Sequence, residues 1–567
     1  MLFAVTTHAE RVLFDNGRSE YAIVLSGKAS SSEKAAAKEL QYYINKISGA
    51  TLPIVTGKNV AKGVYVGYDD AVAKLSGKSG YTADDEGFTY MTSGDNLLIF
   101  GGRDMGTAYG VFSFLEQMLG VHWYANDFTK IPTQRKFVLP DLSRAEKPAF
   151  ESRHVLYYQP QQFYDWNIHN LTNTHYDVYR DPQGRYAAIS SIEGGHTFGE
   201  YITTEEFFGK HPEYFSLRDG RRQREHTQLC LSNRSVIKIL SERVVKRIGE
   251  KPGYFAYSVT QNDNQSPCQC ASCKKIADQY GGQSGLMIWA VNQVADAVAK
   301  KYPEAKIITF AYQYTRSAPK GIRPRDNVYV RLCDIECCFA HPLTAKENSA
   351  FLDDMCQWAS ICKNIYIFDY ITGFYQFLAP FPNFNVMADN LRTFRSYGVK
   401  GVMEEGQYKS NGGEFAELKQ WVAAKLLWNP SLDEDSLARI FINDYYGSAS
   451  QEIWDYFNLC KGLVKSDTHL YFNTTHKAKL YASASGFVSK AEKLVEKALK
   501  KTTANSATRQ HVEDVQMQVL YLKNALNHKK SLTDGTTREL LRMVEKRNIQ
   551  VTEDIPAATF VKKQGYI

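Results

Sequence analysis

Between Phe150 and Gln407, short apolar runs alternate with longer segments whose apolar residues recur at helical spacing. Tyr254–Val259 is the clearest run. It stops abruptly at Gln261-Asn262-Asp263-Asn264, passes through a cysteine-rich stretch, and gives way to a helical pattern over Leu286–Lys300. Similar runs occupy Ser152–Tyr158, Tyr186–Ile192, Thr227–Leu231, Ile307–Tyr312, Val328–Leu332, Ile365–Phe368 and Gly401–Met403, making eight predicted strands. Alternating strands and helices predict a parallel sheet covered by helices, and eight such units predict a (β/α)8 TIM-like barrel. The C-terminal strand ends of such a barrel face its active site, so the residues just beyond each run carry the functional argument.

Flanking patterns set this region apart. Before it, residues 10–145 read as a small α/β domain. Strands are expected at Tyr21–Leu25, Leu52–Val55 and Gly63–Val66, with an amphipathic helix over Ser32–Ile47 capped by Ser30–Ser32 and Glu33. A hairpin is expected over Phe88–Thr92 and Asn96–Phe100, then Gly101-Gly102-Arg103-Asp104 and a helix over Met105–Leu119. That glycine pair lacks a full dinucleotide-binding pattern and reads as a tight turn. A linker, Leu139–Pro148, leads into the barrel, assigned to 150–410. Over 411–567 the pattern becomes helical, with helices expected at Glu414–Leu427, Asp433–Tyr446, Ala449–Val464, Ser485–Leu499, Ala507–Asn527 and Thr536–Arg547.

Composition narrows the function classes. The net charge of +7 is dispersed over 567 residues without a basic stripe, which argues against a nucleic-acid partner. No apolar run is long enough to span a membrane. The N-terminal Met1–Ala9 resembles the tail of a secretory signal, so an exported, periplasmic or extracellular protein is expected. Aromatic residues make up 13% of the chain, and their flat faces suit sugars as well as cores.

Beyond the predicted strand ends stand Gly194-Gly195-His196, Asn233, Asn262-Asp263, Tyr312 and Tyr314, Asp334 and Glu336, Asp369-Tyr370, and Glu404-Glu405. Glycoside hydrolysis commonly uses two carboxyl groups flanking the scissile bond. Asp263 and Glu336 are the candidate catalytic pair. Glu336 sits among Cys, Ile and Phe, surroundings that would raise a carboxyl pKa toward that of a general acid; a salt-bridged loop residue is the alternative. Asn262 beside Asp263 would orient a 2-acetamido group acting as nucleophile, and an Asx-turn is the alternative. His196, Asn233, Tyr312, Tyr314, Asp369, Tyr370, Glu404 and Glu405 are expected to contact substrate. Cys268, Cys270 and Cys273 would supply three ligands to a structural zinc, with Cys230 or a histidine as the fourth; a disulfide plus a free thiol is the alternative. No catalytic cofactor is expected. The chain has no G-x-S-x-G elbow, phosphate-binding loop or H-E-x-x-H motif.

Several of these motifs together resemble glycoside hydrolase family 163. They are Gly194–Phe198, His211-Pro-Glu-Tyr-Phe215, Gln228–Asn233, Ser258–Asp263 with the cysteines that follow, Val402–Gly406 and Ala423–Pro430. The resemblance spans roughly residues 150–450. It implies a retaining endo-β-N-acetylglucosaminidase that cuts the core of complex N-glycans. An exo-acting β-N-acetylhexosaminidase, an α-glucuronidase-like enzyme or a non-catalytic glycan-binding protein would share the architecture.

Overall fold

A computed structural model describes residues 10–58, 60–78, 86–102, 105–482 and 486–566. Met1–Ala9, Arg103-Asp104 and Ser485 lie outside them. Two compact units emerge.

The first unit takes the chain up to Ala149, with Phe163–Leu171 and Arg180–Ala188. Its six-stranded sheet has the order Ser143–Glu146, Phe88–Ser93, Asn96–Gly101, Gly63–Val66, Ala22–Leu25, Ile54–Thr56. The expected helix spans Ser31–Ser48 and buries Ala35, Ala36, Leu40, Ile44 and Ile47. Ser30 and Glu33 cap it reciprocally: Ser30 Oγ accepts from Glu33 N at 3.1 Å, and Glu33 Oε2 from Ser30 N at 2.8 Å. Gly49 ends it with φ 79°. Gly101 is a packing position, because a Cβ on it would lie 2.1 Å from the Gly106 carbonyl carbon.

The second unit comprises Phe150–Gln162, Thr172–Tyr179 and everything from Ile189 to the C-terminal end. Its strands, in chain order, are β1 (Ser152–Leu156), β2 (Thr174–His175), β3 (Ser190–Ser191), β4 (Ala256–Ser258), β5 (Lys306–Ala311), β6 (Val328–Cys333), β7 (Ile365–Tyr370) and β8 (Gly401–Glu405). Six form a curled parallel sheet in the order β1-β8-β7-β6-β5-β4. The two-residue strands β2 and β3 pair with each other in parallel. Ile192, just past β3, bridges Ala256 of β4, and Asn173, just before β2, donates its N–H to Arg153 O of β1 at 3.2 Å. Strand β6 is buried along its whole length, as a parallel strand covered on both faces must be.

Two predicted strands differ from this arrangement. Thr227–Leu231 is a loop touching Phe215 through one bridge at Leu229. Its apolar residues are buried in a core with Val236, Leu240 and Val291, so its hydrophobicity reports burial and not strand pairing. Tyr186–Ile192 is a strand only at Ser190–Ser191, and its first half, through Ala188, belongs to the other unit.

The C-terminal region is helical, with long helices at Ala416–Trp428, Glu434–Tyr446, Ser450–Lys461, Phe487–Lys500, Ala507–Leu526 and Thr536–Arg547. No described helix is long and apolar enough to cross a membrane.

Candidate active site

Seven of the eight strands deliver residues to one cavity of about 540 Å³. Tyr176 follows β2, Gly195 and His196 follow β3, and Asp263 follows β4. Phe310 and Tyr312 come from the end of β5, Cys333 and Ile335 from β6, and Phe368, Tyr370, Phe374 and Tyr375 from β7 and its loop. Strand β8 and its loop add Glu405 and Tyr408, and the C-terminal region adds Phe472, Glu553 and Asp554.

Asp263 is exposed to this space and accepts a hydrogen bond from Tyr312 Oη at 3.1 Å. Burial and the nearby Asp263 carboxylate push the Tyr312 phenol upward, so it remains a donor. Glu405 is buried at the end of β8, and its carboxyl is pushed well above the usual range. Burial is the main cause; the Glu553 and Asp263 carboxylates add to it and Lys409 opposes it. Glu553 is held by Lys409 Nζ at 2.6 Å, while its N–H donates to Phe374 O at 2.7 Å.

His196 has φ 62°, an uncommon backbone state for a side chain of this size. Its Nδ1 lies 2.9 Å from Gln261 O. A carbonyl only accepts, so Nδ1 carries a proton. Its ring packs edge-on to Phe310 at 5.3 Å, and a Cβ on Gly195 would strike that phenylalanine ring at 2.3 Å.

Of the residues singled out from the sequence, His196, Asp263, Tyr312, Tyr370 and Glu405 therefore share the cavity. The others lie elsewhere. Glu336 is exposed and paired with Arg316 at 2.7 Å, so it is not the apolar-walled acid its neighbours suggested. Asn262 spends its amide on the backbone: Oδ1 accepts from Gly199 N at 2.8 Å and Nδ2 donates to Thr227 O at 2.9 Å. Asn233 caps the helix Arg234–Glu250, accepting from Ser235 N at 2.9 Å. Tyr314 sits in a small separate pocket with Phe198 and Leu286.

Asp369 and Glu404 face away from the cavity because successive residues of a strand point to opposite sides of the sheet. They are register partners across β7 and β8, as are their cavity-lining successors Tyr370 and Glu405. With Asp334, they form a fully buried row of carboxyl groups. Both carboxyl oxygens of Asp334 and Oε2 of Glu404 have no hydrogen-bond partner among the described residues. Burial and mutual repulsion accordingly push Asp334 and Glu404 well above the ordinary range.

Apart from Tyr312 and Tyr370, the aromatic walls and the Glu553-Asp554 pair were not evident as site residues. The high aromatic content hinted at the walls, whereas nothing in the sequence links Glu553 to strand ends so far away along the chain. Two cysteine clusters are also present: Cys230 with Cys268, Cys270 and Cys273, and Cys338 with His341 and His469.

A parallel sheet whose strand ends converge on an acidic, aromatic cavity is a fold shared with glycoside hydrolases. The first unit matches the glycosyl hydrolase family 67 N-terminus over residues 14–114. The chain itself belongs to the family described as domain of unknown function DUF4838, whose model matches residues 123–458. Among solved structures, it is similar to a family GH115 4-O-methyl-α-glucuronidase, BtGH115A, with specificity for decorated arabinogalactans. That match has 12% identity and a TM-score of 0.60, and covers 95% of this chain and 77% of the other. It is also similar to CpGH84B, with 12% identity, a TM-score of 0.50 and coverage of 96% of both chains. No curated protein sequence matches.

Proposed function

We propose that this protein is a retaining glycoside hydrolase that cleaves a β-linked N-acetylglucosamine within the core of complex N-glycans. The observation carrying this reading is that Asp263 and Glu405 line one aromatic cavity in different environments, one exposed and one buried. A buried carboxyl group that keeps its proton and an exposed one in the same cavity are suited to opposite roles. Glu405, kept protonated by burial, is the proton donor to the glycosidic oxygen. Asp263, held by Tyr312, is the anionic partner of the developing positive charge at the sugar. Glu405 thus takes the acid role that the sequence suggested for Glu336. We also propose that β2 and β3 complete an eight-stranded barrel with the curled sheet, supported by the bridges at Asn173 and Ile192.

The lining chemistry favours a neutral sugar over a uronic acid. Among the described residues that line the cavity there are four carboxyl groups and no lysine or arginine. A glucuronate would bring a further negative charge among them without a cation to receive it. Aromatic side chains from several strands offer faces for the apolar side of a sugar ring. The choice of N-acetylglucosamine, and of endo over exo cleavage, rests on the motifs shared with family 163.

Incubation with a complex-type N-glycoprotein, followed by mass spectrometry of glycan and protein, tests the proposal. Release of intact glycan, leaving a single N-acetylglucosamine on asparagine, is the expected result. Release of terminal monosaccharides alone would replace it with exo-hexosaminidase action. No release from complex or high-mannose glycoprotein would overturn it.

A further inference from the structure

The segment that follows β4 carries chemistry that the cavity does not use. The thiols of Cys230, Cys268, Cys270 and Cys273 all lie within 4.8 Å of one another. Cys230 Sγ is 3.6 Å from Cys270 Sγ and 3.7 Å from Cys273 Sγ. A disulfide needs about 2.0 Å between sulfurs, and all four cysteines are free. Four thiolates around a zinc at about 2.3 Å stand about 3.8 Å apart at the corners of a tetrahedron, close to the separations seen.

The hydrogen bonds around the sulfurs point the same way. Leu217 N donates to Cys268 Sγ at 3.3 Å and Arg222 Nη1 donates to it at 3.7 Å. Cys273 N donates to Cys270 Sγ at 3.5 Å. Cys270 is also the N-cap of the helix Ala271–Gln279, where backbone dipoles favour negative charge. Donors from main chain, guanidinium and helix end, all aimed at sulfur, suit thiolate ligands; such outer contacts orient and stabilise metal-bound cysteines.

We propose that Cys230, Cys268, Cys270 and Cys273 bind one zinc ion, and that the ion fixes the loop carrying Asp263. Four protein ligands leave no open coordination position, so the role is structural. The ligands stand on both halves of a clamp around that loop. Gln228, two residues before Cys230, donates Nε2 to Asn262 O at 2.7 Å and Asn264 O at 2.9 Å, and its Oε1 accepts from Asn262 N at 3.0 Å. Asp263 lies between the two clamped residues, and Cys268 ends the same loop. One ion therefore ties the 227–230 loop to the 262–273 segment. Deprotonation of the thiols on binding makes the affinity fall at low pH.

The site does not depend on the reaction proposed above, and its test reads metal rather than turnover. Elemental analysis of full-length protein purified without added metal or chelator should find zinc. The Cys230→Ser/Cys273→Ser variant should lose one equivalent per chain and unfold at lower temperature. Zinc-edge X-ray absorption of the wild-type protein covers the case in which that variant fails to fold. A shell of four sulfurs at about 2.3 Å is expected. Zinc-free wild-type protein, iron in place of zinc, a shell dominated by nitrogen or oxygen, or unchanged zinc in the folded variant would each overturn the assignment.

Discussion

Glu404 and Glu405 are consecutive residues of one strand that serve opposite faces of the sheet: Glu405 lines the cavity with Asp263, and Glu404 is buried behind it beside Asp369. The adjacent acids are thus not interchangeable.

If Asp263 and Glu405 are the reacting pair, Asp263→Asn and Glu405→Gln should each lower kcat/KM by about 10²- to 10⁴-fold. Circular dichroism and the unfolding midpoint should stay near wild type. Glu336→Gln, which removes only an exposed ion pair with Arg316, should leave activity unchanged. Glycan release assayed side by side on the three purified variants checks this, and full activity in Glu405→Gln would remove it from the mechanism.

The acid role predicts a pH profile. Activity should fall on the alkaline side as Glu405 loses its proton. Glu553 helps to hold that proton on, so Glu553→Gln should move the alkaline limb of kcat/KM to lower pH, by up to about one unit. Lys409→Met removes the opposing positive charge and should move the limb upward through that direct effect. It also releases Glu553, however, so the Glu553 variant is the cleaner measurement. A profile unchanged in Glu553→Gln would exclude Glu405 as the group that sets it.

Stability should show the buried row of carboxyl groups behind the cavity. Asp334 is held protonated in the folded protein, whereas in the unfolded chain it ionises near its ordinary value of 3.8. The unfolded state therefore releases a proton that the folded state retains. This group's contribution is full below that pH and is lost as pH rises toward the folded pKa. Asp334→Asn cannot ionise, so its stability relative to wild type should improve as pH rises from about 4 toward the folded pKa. Urea unfolding at several pH values checks the slope; a parallel pair of curves would refute the raised affinity of Asp334 for its proton.

Lys419 and Glu414 form a fully buried ion pair at 2.6 Å. Lys419 also donates to Ile371 O at 3.2 Å and Phe381 O at 2.8 Å, pinning both ends of the loop that brings Phe374 and Tyr375 to the cavity. Lys419→Met should cost about 3–5 kcal/mol by leaving a buried carboxyl group without its partner. The double variant Lys419→Met/Glu414→Leu should recover a large part of that loss. Chemical denaturation of the three proteins measures it.

Much of the sheet was legible because parallel strands buried on both faces are continuous apolar runs, as in β5 to β8. The second strand was not, because Thr174–His175 pairs through two residues and carries no apolar run. Its place was given to Thr227–Leu231, which is apolar for reasons of packing alone. The site was half legible for a similar reason. Polarity at a strand end marks the rim of a cavity, but the pleat decides which of two neighbouring residues faces inward. Glu404 and Glu405, or Asp369 and Tyr370, differ only in parity, and parity follows from each strand's register with its neighbours and not from composition. Asn262 was read as a ligand-facing amide, yet its partners Gly199 and Thr227 come from loops whose approach no local pattern announces.

The position of Glu553 has a practical consequence for anyone dividing this chain. A boundary at residue 410 looks natural from the switch to helical sequence, but an excised 150–410 fragment would carry a cavity missing the wall formed by Phe472, Glu553 and Asp554. It would also lose the carboxylate that helps keep Glu405 protonated. The proton affinity of Glu405 is thereby set in part by a residue about 150 positions further along the chain. Exchanging the helical region for another would alter the cavity wall and the surroundings of Glu405 in one step.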